Sequence, residues 1–177
     1  FLDVESIDNP LNIWNQIIEK SLMSSWLHNY SYYKFSISSS KDSNLVNKSF
    51  FVYSENKYLA LAIVLIHDIK PSRPDGRVSK EAYDTKREAS CYGSPLPWPC
   101  IVELKDVNEF DEIEDIIFEE IEKRVIEENS ERVRFILCPS NDGCVNQENF
   151  FCIIKKRSYI DSSYMCHDVI INHNTIS

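Results

Sequence analysis

A strand, a long amphipathic helix and a second strand succeed one another between residues 101 and 138, and this unit constrains the fold most. Ile101-Val102-Glu103-Leu104 is a short apolar run of strand length. From about Asn108 to Asn129, Phe110, Ile113, Ile117, Ile121 and Val125 recur at three- and four-residue steps, which predicts one apolar helix face. Arg132 to Cys138 then alternates as a strand. Two strands joined by a crossover helix are expected to lie parallel, because only a hairpin closes an antiparallel pair directly.

The N-terminal half extends this α/β order. Asn9-Pro10 is a helix start, with proline where its missing N–H costs nothing, and Leu11, Trp14, Ile17, Ile18 and Leu22 follow at helical spacing. Tyr32 to Ile37 reads as a short strand. Residues 49–54 and 58–67 flank Glu55-Asn56-Lys57 as a hairpin, and the second strand is apolar almost throughout, as a central strand covered on both faces would be. Asn141-Asp142-Gly143 reads as a turn, residues 147–156 as a helix and residues 164–172 as a last strand.

At 177 residues the chain suits a single domain, 1–177, around one core. Net charge of −9 argues against sequence-independent binding to DNA, which relies on neutralising phosphates. No apolar run reaches the roughly 20 residues of a membrane span. The six cysteines form no C-x-x-C pair, and the four histidines are scattered, so neither a metal site nor a disulfide framework is expected. Cys138 and Cys152 fall in apolar segments, which suits a reducing, cytoplasmic setting. The chain opens on Phe1 and reads as a fragment or processed product.

Residues 68–100 read as a long loop insertion, and the first part, to Ser90, is polar and rich in Lys, Arg, Pro and Gly. Within it Arg77 and Arg87 are candidates to face an anionic substrate group, set against the bland reading of a solvated excursion. Glu88 to Cys100 concentrates three of the seven prolines and one of the three glycines. A loop so constrained beside a strand is a candidate site, with Tyr92, Gly93 and Ser94 forming its pocket. The acids Glu109, Asp111, Glu112, Glu114 and Asp115 read as a solvated helix face.

This order resembles the GNAT fold as it occurs in one lobe, the first, of the Fem-type peptidyltransferases and FemAB-like bacterial acyltransferases. The resemblance rests on Ser25-Trp26-Leu27-His28-Asn29-Tyr30 after the first helix and on Phe51 to Ala60 as the early hairpin. It rests further on the Tyr92-Gly93-Ser94-Pro95-Leu96 loop and on Lys156-Arg157-Ser158-Tyr159 before a closing strand. It implies a mixed central sheet with helices on both faces and a transferase-related role in shaping the acceptor pocket for an amino sugar or cell-envelope precursor. A second GNAT lobe or a partner protein would complete it. For acyl transfer, His67 at a strand end is the candidate base and Glu103 the alternative. The family's Gly-rich diphosphate turn is replaced by Lys105-Asp106-Val107-Asn108, so no acyl-CoA or other cofactor is expected on this chain. Two other readings stay open: a catalytically silent GNAT-like ligand- or protein-binding domain, and an unrelated α/β interaction module using Trp26, Trp98, Tyr30, Tyr32 and Tyr33.

Overall fold

A computed structural model describes residues 1–21, 24–40, 44–68, 87–91, 96–104, 106–136, 156–157 and 159. The chain divides into two compact units, Phe1–Val145 and Asn146–Ser177. The expected turn at 141–143, the last strand, nearly all of the helix expected at 147–156 and Cys138, Cys144, Cys152 and Cys166 lie outside the described residues.

The first unit is mixed α/β. Its elements are β1 (Leu2–Asp3), α1 (Pro10–Lys20), α2 (Tyr30–Ser38), β2 (Val46–Asn47), β3 (Phe50–Ser54), β4 (Lys57–Ala62) and β5 (Leu65–Asp68). They continue with β6 (Arg87–Ala89), β7 (Leu96–Pro97), β8 (Cys100–Ile101), α3 (Val107–Glu127), β9 (Arg132–Val133) and β10 (Phe135–Ile136). Strands pair in the orders β1-β3-β4-β8 and β2-β5-β6-β9, with β7 and β10 as a further pair. All pairs are antiparallel except β6–β9 and β7–β10, which are parallel. The expected parallel pairing of residues 101–104 with the strand after the long helix is not found among the described residues: β8 pairs antiparallel with β4, and the strands after α3 lie parallel to β6 and β7 instead.

Local chemistry explains the breaks. Glu55 and Asn56 take positive φ of 49° and 63°, so a two-residue turn joins β3 to β4 with Ser54 opposite Lys57. The expected single strand 58–67 divides at Ile63–Val64. There the Val64 N–H donates to Ser49 Oγ at 3.0 Å instead of to a ladder carbonyl. Residues 60–66 are nonetheless all buried, as a strand covered on both faces requires. Within the span expected as a loop, 87–89 and 96–97 are strands, and Ala89 and Leu96 are fully buried.

Tyr32 to Ile37 is helical, not the strand its aromatic and β-branched content suggests. Asn29 Oδ1 caps this helix by accepting from Ser31 N at 2.8 Å, and Tyr33 and Ser36 turn inward at helical spacing. Tertiary burial thus overrides propensity.

Helices cover both faces. Consecutive strand residues point to opposite sides, and Phe50 and Phe51 are both fully buried. Trp14 of α1 meets the Phe51 ring edge-on at 6.2 Å, whereas the Arg124 guanidinium of α3 sits 4.5 Å over Phe50. Trp14 and Ile17 bury the α1 face, and Ile113, Ile117, Phe118, Ile121 and Val125 bury the α3 face. α3 stops where Asn129 adopts φ 54° and Ser130 N donates to Val125 O at 3.0 Å.

Trp14→Ala is expected to cost about 3–5 kcal/mol in denaturant unfolding, because it removes a fully buried ring. Leu11→Ala on the same helix is expected to cost under about 0.5 kcal/mol, since Leu11 is 43% exposed.

Candidate functional site

His67 lies on β5 directly opposite Glu88 of β6, and Glu88 lies opposite Arg132 of β9. Register therefore puts these side chains on one face in a single row across three strands. The His67 ring is half-buried. Its Nδ1 approaches Asp68 O at 3.2 Å and its Nε2 is hydrogen-bonded to Ser90 Oγ. With Nδ1–H donating to the carbonyl, Nε2 offers its lone pair to the Ser90 hydroxyl. Ser90 itself is fully buried.

Glu88 has no solvent exposure. Arg132 Nε donates to its Oε2 at 2.6 Å and Arg134 Nε to its Oε1 at 2.7 Å, with Arg134 Nη2 on that same Oε1. The carboxylate so ties β6 to β9 and to the residue preceding β10.

Arg87 faces the other way. It pairs with Asp68, one position beyond His67, and its Nη1 donates to Asp68 Oδ1 at 2.8 Å. Its Nη2 donates to Asn44 O at 3.3 Å and lies 3.8 Å from Glu128 Oε2. Hydrogen bonds from Asn44 and Arg87 hold the Asp68 carboxyl below its ordinary range. Glu103 is exposed beyond β8, where its N–H donates to Lys20 O at 3.1 Å. Among the described residues no hydrogen bond joins Glu103 to His67. Tyr92, Gly93, Ser94 and Arg77 lie outside the described residues.

The N-terminus of α3 carries its own anion. Asp106 Oδ1 accepts from Asn108 N at 2.9 Å, so the expected carboxylate occupies the position where a helix would hold a diphosphate.

A second buried polar chain is not apparent from sequence alone. Ser25 N donates to His28 Nδ1 at 3.0 Å, which leaves the proton on Nε2; that nitrogen donates to Trp98 O at 2.6 Å. Trp98 Nε1 donates in turn to Glu114 Oε1 at 3.2 Å, and Trp14 Nε1 donates to His28 O at 2.6 Å. Burial lowers the His28 pKa, while burial raises the Glu114 carboxyl from 4.5 to about 7. Glu114 is therefore not part of a solvated acidic face: it is 3% exposed. A signal does exist, since position 114 falls on the apolar stripe four residues after Phe110 and three before Ile117. Trp98 and Tyr33 are likewise core residues, whereas Trp26 is 71% exposed.

Among the described residues no group of three or more His, Cys, Asp or Glu side chains gathers as a metal site, and no helix is long and apolar enough to cross a membrane. Cys91 and Cys100 are buried, and burial pushes the Cys91 thiol up. No family model, no curated protein and no solved structure matches this chain.

The two buried titrating groups act with opposite sign. Below about pH 6.5 the unfolded chain takes up a proton that folded His28 resists, so stability is lost as pH falls. Between 4.5 and about 7 folded Glu114 keeps a proton that the unfolded chain releases, so its contribution is lost as pH rises. Glu114→Gln is expected to gain roughly 2–3 kcal/mol on wild type at pH 8 relative to pH 5, read from thermal melts at both values.

Proposed function

We propose that this chain is a GNAT-like lobe related to the acyl- and aminoacyltransferases, which shapes the pocket for an amine acceptor and does not itself hold acyl-CoA. The observation that carries this reading is the Asp106 carboxylate capping α3, because a fixed negative charge there repels a diphosphate. The element order, the mixed sheet β2-β5-β6-β9 with its parallel β6–β9 pair, and the helices on both sides of β3 support the GNAT-like assignment.

In this reading the acceptor is an amino sugar or a cell-envelope precursor, and its amine attacks an acyl carbonyl supplied from elsewhere. The new bond is N–C. The bond from the carbonyl carbon to the donor's leaving group breaks, and the amine proton passes to His67 Nε2, directly or through Ser90 Oγ. His67, oriented by the Asp68 carbonyl, presents at Nε2 the lone pair this step needs. A bacterial cytoplasmic enzyme system with a second lobe or partner protein would provide the donor.

Thermal denaturation with acetyl-CoA, a nucleotide-linked amino sugar and a precursor mimic tests the reading. A ligand at a hundred times its dissociation constant adds about 2.7 kcal/mol to stability. A rise in midpoint with the amino sugar or precursor and none with acetyl-CoA is expected. A rise with acetyl-CoA overturns the donor-free reading. No rise with any of them favours the silent, protein-binding alternative, to which exposed Trp26, edge-on to Tyr32 at 5.1 Å, already lends support.

A further inference from the structure

One buried carboxylate needs one guanidinium to neutralise it, yet Glu88 has two. Two cations and one anion leave the Glu88–Arg132–Arg134 group with a charge of +1, in a chain whose net charge is −9. Leaving a surplus charge beside a buried ion pair adds desolvation without adding a partner, so stability alone does not account for the second arginine.

The geometry of the pair is that of a donor array. Each guanidinium is anchored at its Nε, on opposite oxygens of the same carboxylate, 2.6 Å for Arg132 and 2.7 Å for Arg134. This anchoring fixes the plane of each guanidinium; Arg134 Nη2 also bonds the carboxylate, so the groups left to face outward are both Nη of Arg132 and Nη1 of Arg134. The side chains are 31% and 36% exposed, so those outer ends meet solvent while Glu88 does not. Among the described residues Arg132 Nη1 and Nη2 and Arg134 Nη1 have no hydrogen-bond partner. Arg132 and Arg134 stand two residues apart, at the strand spacing that puts side chains on one side, and both reach the same carboxylate.

We propose that Arg132 and Arg134, oriented by buried Glu88, form a binding site for a tetrahedral oxyanion, the phosphate group of a small molecule. Planar guanidinium N–H groups in fixed orientation match phosphate oxygens bidentately. Two such groups supply more outward donors than the two oxygens of a carboxylate can accept. The surplus positive charge gives the site its sign. His67 stands in the same cross-strand row, on the far side of Glu88 from Arg132. This site is separate from the α3 N-terminus, and it stands whether or not the chain takes part in acyl transfer.

The test is titration of the whole ¹⁵N-labelled chain with inorganic phosphate, followed by NMR, against sodium acetate and sodium chloride at matched ionic strength. Saturable shifts centred on residues 88, 132 and 134 with phosphate, and at least tenfold weaker responses to acetate, are the expected result. Arg132→Lys and Arg134→Lys keep a cation for Glu88 but lose the outward fork; each is expected to weaken phosphate binding at least tenfold. Their thermal melts report whether the fold survives. If a variant fails to fold, the wild-type shift map decides alone. An equal response to acetate overturns the tetrahedral assignment. Shifts no greater than those with chloride, shifts centred elsewhere, or unchanged affinity in both folded lysine variants overturn the site.

Discussion

The Glu88 carboxylate, out of contact with water and bonded to Arg132 and Arg134, is the constraint on which the sheet β2-β5-β6-β9 depends. Burying an isolated carboxylate costs several kcal/mol, and removing one partner of a buried pair leaves that cost uncompensated. β6 can therefore occupy the sheet interior only when β9 and the residue after it lie alongside. The backbone agrees: Arg134 N donates to Ala89 O at 3.3 Å, and Leu96 N donates to Arg134 O at 2.7 Å. Short parallel ladders of two residues are weak by themselves, and the ion group is what sets their register.

The sheet β1-β3-β4-β8 is held differently. Phe50 and Phe51 send rings to opposite faces of β3, one toward Arg124 of α3 and one toward Trp14 of α1. Trp14 also joins α1 to the turn at His28, and His28 joins that turn to Trp98 beneath α3. Apolar burial supplies most of the driving force here, and the hydrogen bonds decide which arrangement is adopted. The polar chain ends on Glu114, so the packing of α3 against Trp98 is sensitive to proton concentration near neutrality.

Much of the framework is legible in the sequence. Pro10 and the Trp14–Ile17 spacing announce α1 and the 110–125 stripe announces α3, but the strand that pairs parallel after α3 is β6, not the run at 101–104. Periodicity carries these because each element buries one face. α2 is not legible, because Tyr32, Tyr33, Phe35 and Ile37 favour a strand locally and only the Asn29 cap and burial against Trp14 decide otherwise. The candidate site is half legible. His67 stands out by its strand end, but Glu88 looks like one more charge in a polar stretch. A clue lies in Arg132 and Arg134, which alternate with Val133 and Phe135 and so share a side of a strand. Two arginines on one side of a half-buried strand point to an acid opposite, and sequence gives no register with which to find it.

The most direct test of this account is backbone hydrogen exchange of wild type and Glu88→Gln, read at Val133 and Phe135 against Phe51 and Leu61. Loss of the carboxylate charge is expected to speed exchange at Val133 and Phe135 by tenfold or more while Phe51 and Leu61 keep their protection. Equal protection at all four positions in both proteins would mean that the parallel pairs β6–β9 and β7–β10 stand without Glu88, and would contradict the account.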